Sequence, residues 1–210
     1  MSYKVVVRNS EWKKLKERDL SEEIFNDNHI NNEVIHEFVV MQMANARNPI
    51  ANTKTRWEVK VSWKKLFRQK WTWNARVGDA WSPIRRKGWV VFWPTKSVNY
   101  KKDMPKKQRR KALLWALTMK AKEWDILCLN KYPFEDIKTK NAVDTLKNLK
   151  LYWTKTLVVI PSKDDVLSKS FRNIDNVHYC IVDYLNPFEV LTYKNVLFLS
   201  ESLDKLEGDK

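Results

Sequence analysis

From Asn48 to about Pro94 the chain shows no helix or strand periodicity, and this gap constrains the fold more than any single motif. Apolar residues are sparse there, and a charge recurs every two or three positions. So long a patternless stretch is unusual inside a compact domain and normally marks a functional or disordered segment. It offers too little apolar area to offset its ordering entropy, so it is expected to order on a partner.

The flanks are patterned. Tyr3–Val7 reads as a strand, followed by a polar link and a helix over Asn31–Arg47. In that helix Val34, Ile35, Phe38, Val39, Gln42 and Met43 follow the 3.6-residue period and form one inward stripe. Beyond the gap, Pro105 opens a predicted helix to about Glu123, with Leu113, Ala116 and Leu117 facing inward. Strands over Ile126–Leu129, Thr156–Ile160, Val177–Val182 and Val196–Leu199 then alternate with helices over Thr139–Leu149, Asp164–Ser170, Pro187–Tyr193 and Glu201–Leu206. Such alternation predicts an α/β fold, layered, with a mostly parallel sheet and flanking helices, interrupted by a long extended basic loop. Residues 1–47 and 95–210 are expected to form one globular body, with 48–94 inserted in it.

The charge is not spread evenly. The chain carries a net +15, and the stretch Ile50–Lys111 holds 19 Lys and Arg against 3 acids. The remainder holds 21 against 22, so the whole excess sits in and just after the gap. A solvated face mixes both signs. Segregation of this kind suits a polyanion, because each cation set on a phosphate releases condensed counterions. A membrane surface fits less well, since no amphipathic Leu/Phe stripe accompanies the charge.

Other chemistries find little support. No apolar run approaches a membrane span, and MSYKVVVRNSEWKKLKERDL lacks the apolar run of a secretory leader, so a cytoplasmic protein is expected. Cys128 and Cys180 lie in apolar, strand-like runs and read as reduced, buried thiols. Neither GxGxxG nor GxxxxGK[ST] occurs, so neither phosphate-binding signature is visible. No cofactor and no small-molecule substrate are expected. His29, His36 and His178 have no metal-ligand spacing, and His36 reads as a packing or capping residue of the first helix. Asp164 and Asp165 stand at a predicted helix start, where the helix dipole already accounts for acids.

The chain prints 11 Trp and only 3 Gly, whereas average usage of about 7% would place about 15 Gly in a chain of this length. The Trp residues also fall in punctuating places: Trp153 and Trp124 follow predicted helices, Trp12 sits in a charged link, and Trp71 and Trp73 flank Thr72 in the most basic part of the gap. Two explanations compete. Taken literally, the rings form a stacking platform for single-stranded RNA. Alternatively the codon is UGA, which some bacteria read as glycine and another code reads as tryptophan. Replacing all eleven gives 14 Gly, close to ordinary usage.

The motifs carry a resemblance. The run TKTRWEVKVSWKKLFRQKWTWNARVGDAWSPIRRKGWVVFWP is similar to the extended loop of the large-subunit ribosomal protein four family, which typically reads TKTRGEV, a Gly-Lys-Lys step, RQKGTGRAR, a Ser-Pro step and GGGVVFGP. Trp57, Trp63, Trp71, Trp73, Trp89 and Trp93 stand at family glycine positions, and Trp81 at a place that is often basic. Asn74 replaces the usual Arg, and Lys87 a frequent Gly. Downstream, MPKKQRRKALLWALTMKAKE resembles the family's PKKxRRxAL…ALSxKAKEG helix.

That resemblance implies a non-enzymatic constituent of the large ribosomal subunit, with neighbouring ribosomal proteins and ribosomal RNA as partners. It implies an arm whose tip, Arg68, Gln69, Lys70, Trp71, Thr72, Trp73, Asn74, Ala75 and Arg76, meets the nascent peptide in the exit tunnel. Lys70 is closest to the family's tunnel-facing lysine. RNA contacts are expected from Lys54, Arg56, Lys60, Lys64 and Lys65, from the tip's Arg68, Gln69, Lys70, Thr72, Asn74 and Arg76, and from Ser82, Arg85, Arg86 and Lys87. Lys106, Lys107, Arg109 and Arg110, at the start of the predicted helix, complete the set. Members of the family in some bacteria also repress their own messenger RNA. Two other readings stay open: a free-standing single-strand RNA binder that uses the Trp rings, and an RNA-processing enzyme on an α/β core. The latter would need clustered acids or a metal site, which the charge map does not offer.

Overall fold

A computed structural model describes residues 3–26 and 30–208, which leaves His29 outside. The chain divides into two compact units, one of residues 1–42 and 103–210, the other of residues 43–102.

The larger unit is built on a six-stranded sheet. Its strands are β1 (Lys4–Arg8), β2 (Lys14–Asp19), β3 (Ile126–Leu129), β4 (Thr156–Ile160), β5 (Val177–Ile181) and β6 (Asn195–Leu199), in the order β2-β1-β3-β6-β4-β5. Only the β1–β2 hairpin is antiparallel; β1–β3, β3–β6, β6–β4 and β4–β5 are all parallel. The helices are α1 (Asn32–Asn45), α2 (Lys106–Lys122), α3 (Thr139–Asn148), α4 (Asp165–Phe171), α5 (Pro187–Thr192) and α6 (Ser200–Gly208). The expected layered α/β architecture is what the chain adopts.

The period of two explains the layers. In β4, Leu157 and Val159 enter one core with Ala116, Leu117 and Ala121 of α2, Val190 of α5 and Leu203 of α6. Val158 and Ile160 enter the opposite core with Ala142 and Leu146 of α3 and Leu167 and Phe171 of α4. In β6, Val196 and Phe198 join the first core, Leu197 and Leu199 the second. Both faces of the parallel sheet are thus covered, which is why its strands read as continuous apolar runs. Each fully buried side chain of this size contributes roughly 1.5–3 kcal/mol.

Helix ends follow local chemistry. The Asp164 carboxylate accepts a hydrogen bond from the Val166 amide at 2.8 Å and starts α4. The Asn186 side chain accepts one from the Glu189 amide at 2.9 Å, with Pro187 in the first turn of α5.

Several expectations need correction. The polar link after β1 contains β2, an almost wholly exposed edge strand of sequence KLKERD. Pairing with β1 holds it, and so does Arg18, which donates to Asp204 Oδ1 at 2.6 Å and pairs with Glu207, both on α6. The α1 stripe buries Ile35, Phe38 and Met41, whereas Met43 is 57% exposed. His36 is exposed, outside the buried stripe of α1. The residue that ends α3 is Lys150, at φ 57°, and Trp153 lies three residues beyond it. Cys128 and Cys180 are buried and free, as expected.

Candidate nucleic-acid interface

Residues 43–102 contain 15 Lys and Arg but only two acids, Glu58 and Asp79. Not one of these residues is buried, and the segment after α1 contains neither helix nor strand. Its order comes from turns. The Asn45 side chain donates to the Lys102 carbonyl at 3.1 Å and accepts from the Lys102 amide at 2.8 Å, which joins the two ends, and further in the Thr53 amide donates to the Pro94 carbonyl at 3.2 Å. Higher up, the Leu66 amide donates to the Gly78 carbonyl at 3.1 Å beside an isolated antiparallel bridge between Lys65 and Asp79. Residues 66–78 therefore form a closed loop. At its crest the Arg68 guanidinium donates to the Trp71 carbonyl at 3.2 Å, and Lys65 Nζ to Gln69 Oε1 at 2.6 Å.

The two acids are already engaged. Glu58 accepts from the Thr55 amide at 2.7 Å, a hydrogen bond that holds its carboxyl below the usual carboxylate range. Asp79 accepts from the Trp81 indole at 3.0 Å. Among the described residues every salt bridge lies outside 43–102, so no protein carboxylate neutralises its cations.

Of the expected contact residues, Lys54, Lys60, Lys64, Lys65, Arg68, Gln69, Lys70, Asn74, Arg76, Arg85, Arg86 and Lys87 are exposed, and Arg56, Thr72 and Ser82 are half-buried. Arg56 lies 4.1 Å from the Trp81 ring centroid; Trp81 meets Trp63 at 5.3 Å with a 37° tilt, and Trp63 stacks on Trp57 at 5.2 Å. Ser82 accepts from the Arg85 amide at 3.0 Å and starts a turn that Gly88 closes. Only glycine fits there, since a Cβ on Gly88 would stand 1.9 Å from the Ser82 carbonyl oxygen.

Lys106, Lys107, Arg109 and Arg110 lie in the other unit, all exposed, in the first turns of α2. That helix start has no acid and no side-chain cap. Cations at a helix N-terminus oppose the macrodipole by about 0.3–1 kcal/mol each. Helix N-termini favour anions, so these cations are arranged against the helix's own field. Arg47, Lys96, Lys101 and Lys102 are exposed cations of the 43–102 unit that the motif blocks did not reach, although the charge run includes the last three.

No three His, Cys, Asp or Glu side chains gather for a metal ion, and no helix is long and apolar enough to cross a membrane, among the described residues. Burial raises the Cys128 thiol to about 11, and burial with the Glu189 charge raises Cys180 to about 12, which leaves both inert near neutral pH.

The model of the ribosomal protein L4/L1 family matches residues 18–209. The large ribosomal subunit protein uL4 of Caldicellulosiruptor saccharolyticus is 41% identical over 204 residues, 97% of each chain. The protein of the same name from Finegoldia magna is 39% identical over the same share. That from Thermodesulfovibrio yellowstonii is 40% identical over 90% of this chain and 89% of its own.

Proposed function

The chain belongs to the ribosomal protein L4/L1 family, and from that premise we propose that its 43–102 segment orders on large-subunit ribosomal RNA, with residues 68–76 lining the nascent-peptide exit tunnel. It is a structural constituent of the large ribosomal subunit and not an enzyme, and it works with the ribosome in the cytoplasm.

One observation carries the proposal: a 60-residue unit without a single buried residue that nevertheless concentrates the protein's positive charge. A chain with no core of its own needs a partner to hold its turns. A partner dense in phosphate supplies what the sequence withholds, since each Lys or Arg docked on a phosphate gains a charge-assisted hydrogen bond and releases a counterion. Lys70 and Arg76, exposed on the closed loop 66–78, are then the tip's contacts to RNA and to the peptide passing it. The body, with its two covered sheet faces, meets the subunit's outer RNA and neighbouring proteins through α2's basic start.

Limited proteolysis with trypsin tests this. In the free protein the arm's Lys and Arg bonds should be cut first. In assembled large subunits they should be protected while exposed sites on the body remain open. Equal cutting of the arm in both states would refute the proposal.

A further inference from the structure

We propose that Trp12, Trp71, Trp73 and Trp124 mark glycines of the native protein, whose UGA codons the source cell reads as glycine. The RNA assignment does not depend on this.

Seven described residues other than glycine have positive φ, and these four Trp are the majority of them, at 67°, 68°, 56° and 62°. Bulky side chains are outliers in that region, and glycine enters it freely. None of the chain's three printed glycines uses it.

Each place is one that backbone geometry reserves for glycine. Trp12 ends the three-residue loop of the β1–β2 hairpin, where its amide donates to the Asn9 carbonyl at 3.0 Å and the Asn9 amide to the Lys13 carbonyl at 3.0 Å. That is a turn followed by a left-handed residue, the standard three-residue hairpin with glycine in last place. Trp124 follows the last turn of α2. Its amide donates to Ala121 O at 3.2 Å, and the next amide, of Asp125, to Lys120 O at 3.1 Å. This double bond pattern is the helix stop that places glycine at the left-handed position. Trp71 and Trp73 lie in the loop 66–78 and are 79% and 100% exposed as residues, so no burial compensates the backbone.

The rings elsewhere leave a second trace. The Trp89 and Trp93 indole nitrogens are buried without a hydrogen-bond partner, as is Arg56 Nε near the Trp81 ring and Arg8 Nε, whose guanidinium lies 3.7 Å from the Trp12 centroid. Buried indole N–H groups ordinarily find an acceptor. Glycine at the printed Trp positions would remove both indoles and the rings against the two arginines. The shortage of glycine in the chain has the same remedy.

The experiment reads the gene and the protein together: the nucleotide sequence at these codons, and peptide mass spectrometry of the protein from the source cell's own ribosomes. We expect UGA at all four positions and peptides carrying glycine there. Tryptophan in those native peptides, under either codon, overturns the proposal and leaves the rings as a stacking surface for RNA. A second measurement uses the printed sequence made recombinantly. Trp124→Gly should lower the unfolding equilibrium constant about five- to thirty-fold by relieving a left-handed residue. An unchanged or raised constant counts against the backbone argument.

Discussion

Lys70 is an exposed cation on a loop without a core beneath it, so reversing it should disturb binding and leave folding alone. Lys70→Glu is expected to shift the body's stability by less than about 0.5 kcal/mol, as surface changes do. In ribosomes it should change macrolide sensitivity or nascent-chain stalling, because a repulsion replaces an attraction where salt screens only partly. Lys205 would be a poor control, since its ammonium lies 2.7 Å from Asp183 Oδ1 and donates to the Pro161 carbonyl at 3.1 Å. Lys155, exposed between α3 and β4, serves better. Unaltered tunnel phenotypes in correctly assembled Lys70→Glu ribosomes would remove the tip assignment. At Asp164 the effect is purely structural: Asp164→Ala deletes the α4 cap and should cost about 1 kcal/mol in urea unfolding. That cap was legible because an acid stood where an apolar run began. Lys150 was not legible as a helix stop, since nothing in a lysine announces a left-handed backbone.

Elements are legible in the sequence to the extent that burial patterns them. β4 and β6 are recognisable because both their faces are covered, and α2 because Ala116 and Leu117 are fully buried. β2 escaped notice because an edge strand exposed on both faces has no alternation to betray it. The arm was legible in the opposite way, as a missing pattern, and the sequence could give its charge but none of its turns. Because Thr53 and Pro94 already meet, deleting residues 54–93 and joining the two should leave the body's urea midpoint unchanged. The same deletion should flatten the salt dependence of RNA binding, whose log–log slope is about −0.9 for each duplex phosphate contacted. An unfolded body would contradict the insertion model. For α2 the expected effects oppose each other: Lys106→Glu with Lys107→Glu should stabilise the free protein by about 1 kcal/mol, by restoring agreement with the dipole, while weakening RNA binding.

For the whole molecule, alkaline pH probes the two buried thiols. The unfolded chain releases these protons near the ordinary thiol value of about 8.5, whereas the folded chain holds them to about 11 at Cys128 and about 12 at Cys180. Folded pKa values above unfolded ones mean that the stabilisation is complete below about pH 8.5 and is lost as pH rises through 11 and 12. Urea midpoints should therefore fall across that window, and the fall should be shallower in a Cys128→Ala, Cys180→Ala variant. It should not vanish, because burial raises the Tyr132 phenol in the same sense. Equal slopes in both proteins would show that the thiols are not the cause. The parallel pairing of Val7 with Cys128 has a different consequence. All the chain between those two residues, arm included, is one loop that must close before the sheet is complete. Closure entropy grows only with the logarithm of length, so the 54–93 excursion adds about 0.4 kcal/mol to it. Lengthening the arm residue by residue therefore scarcely registers in the sheet.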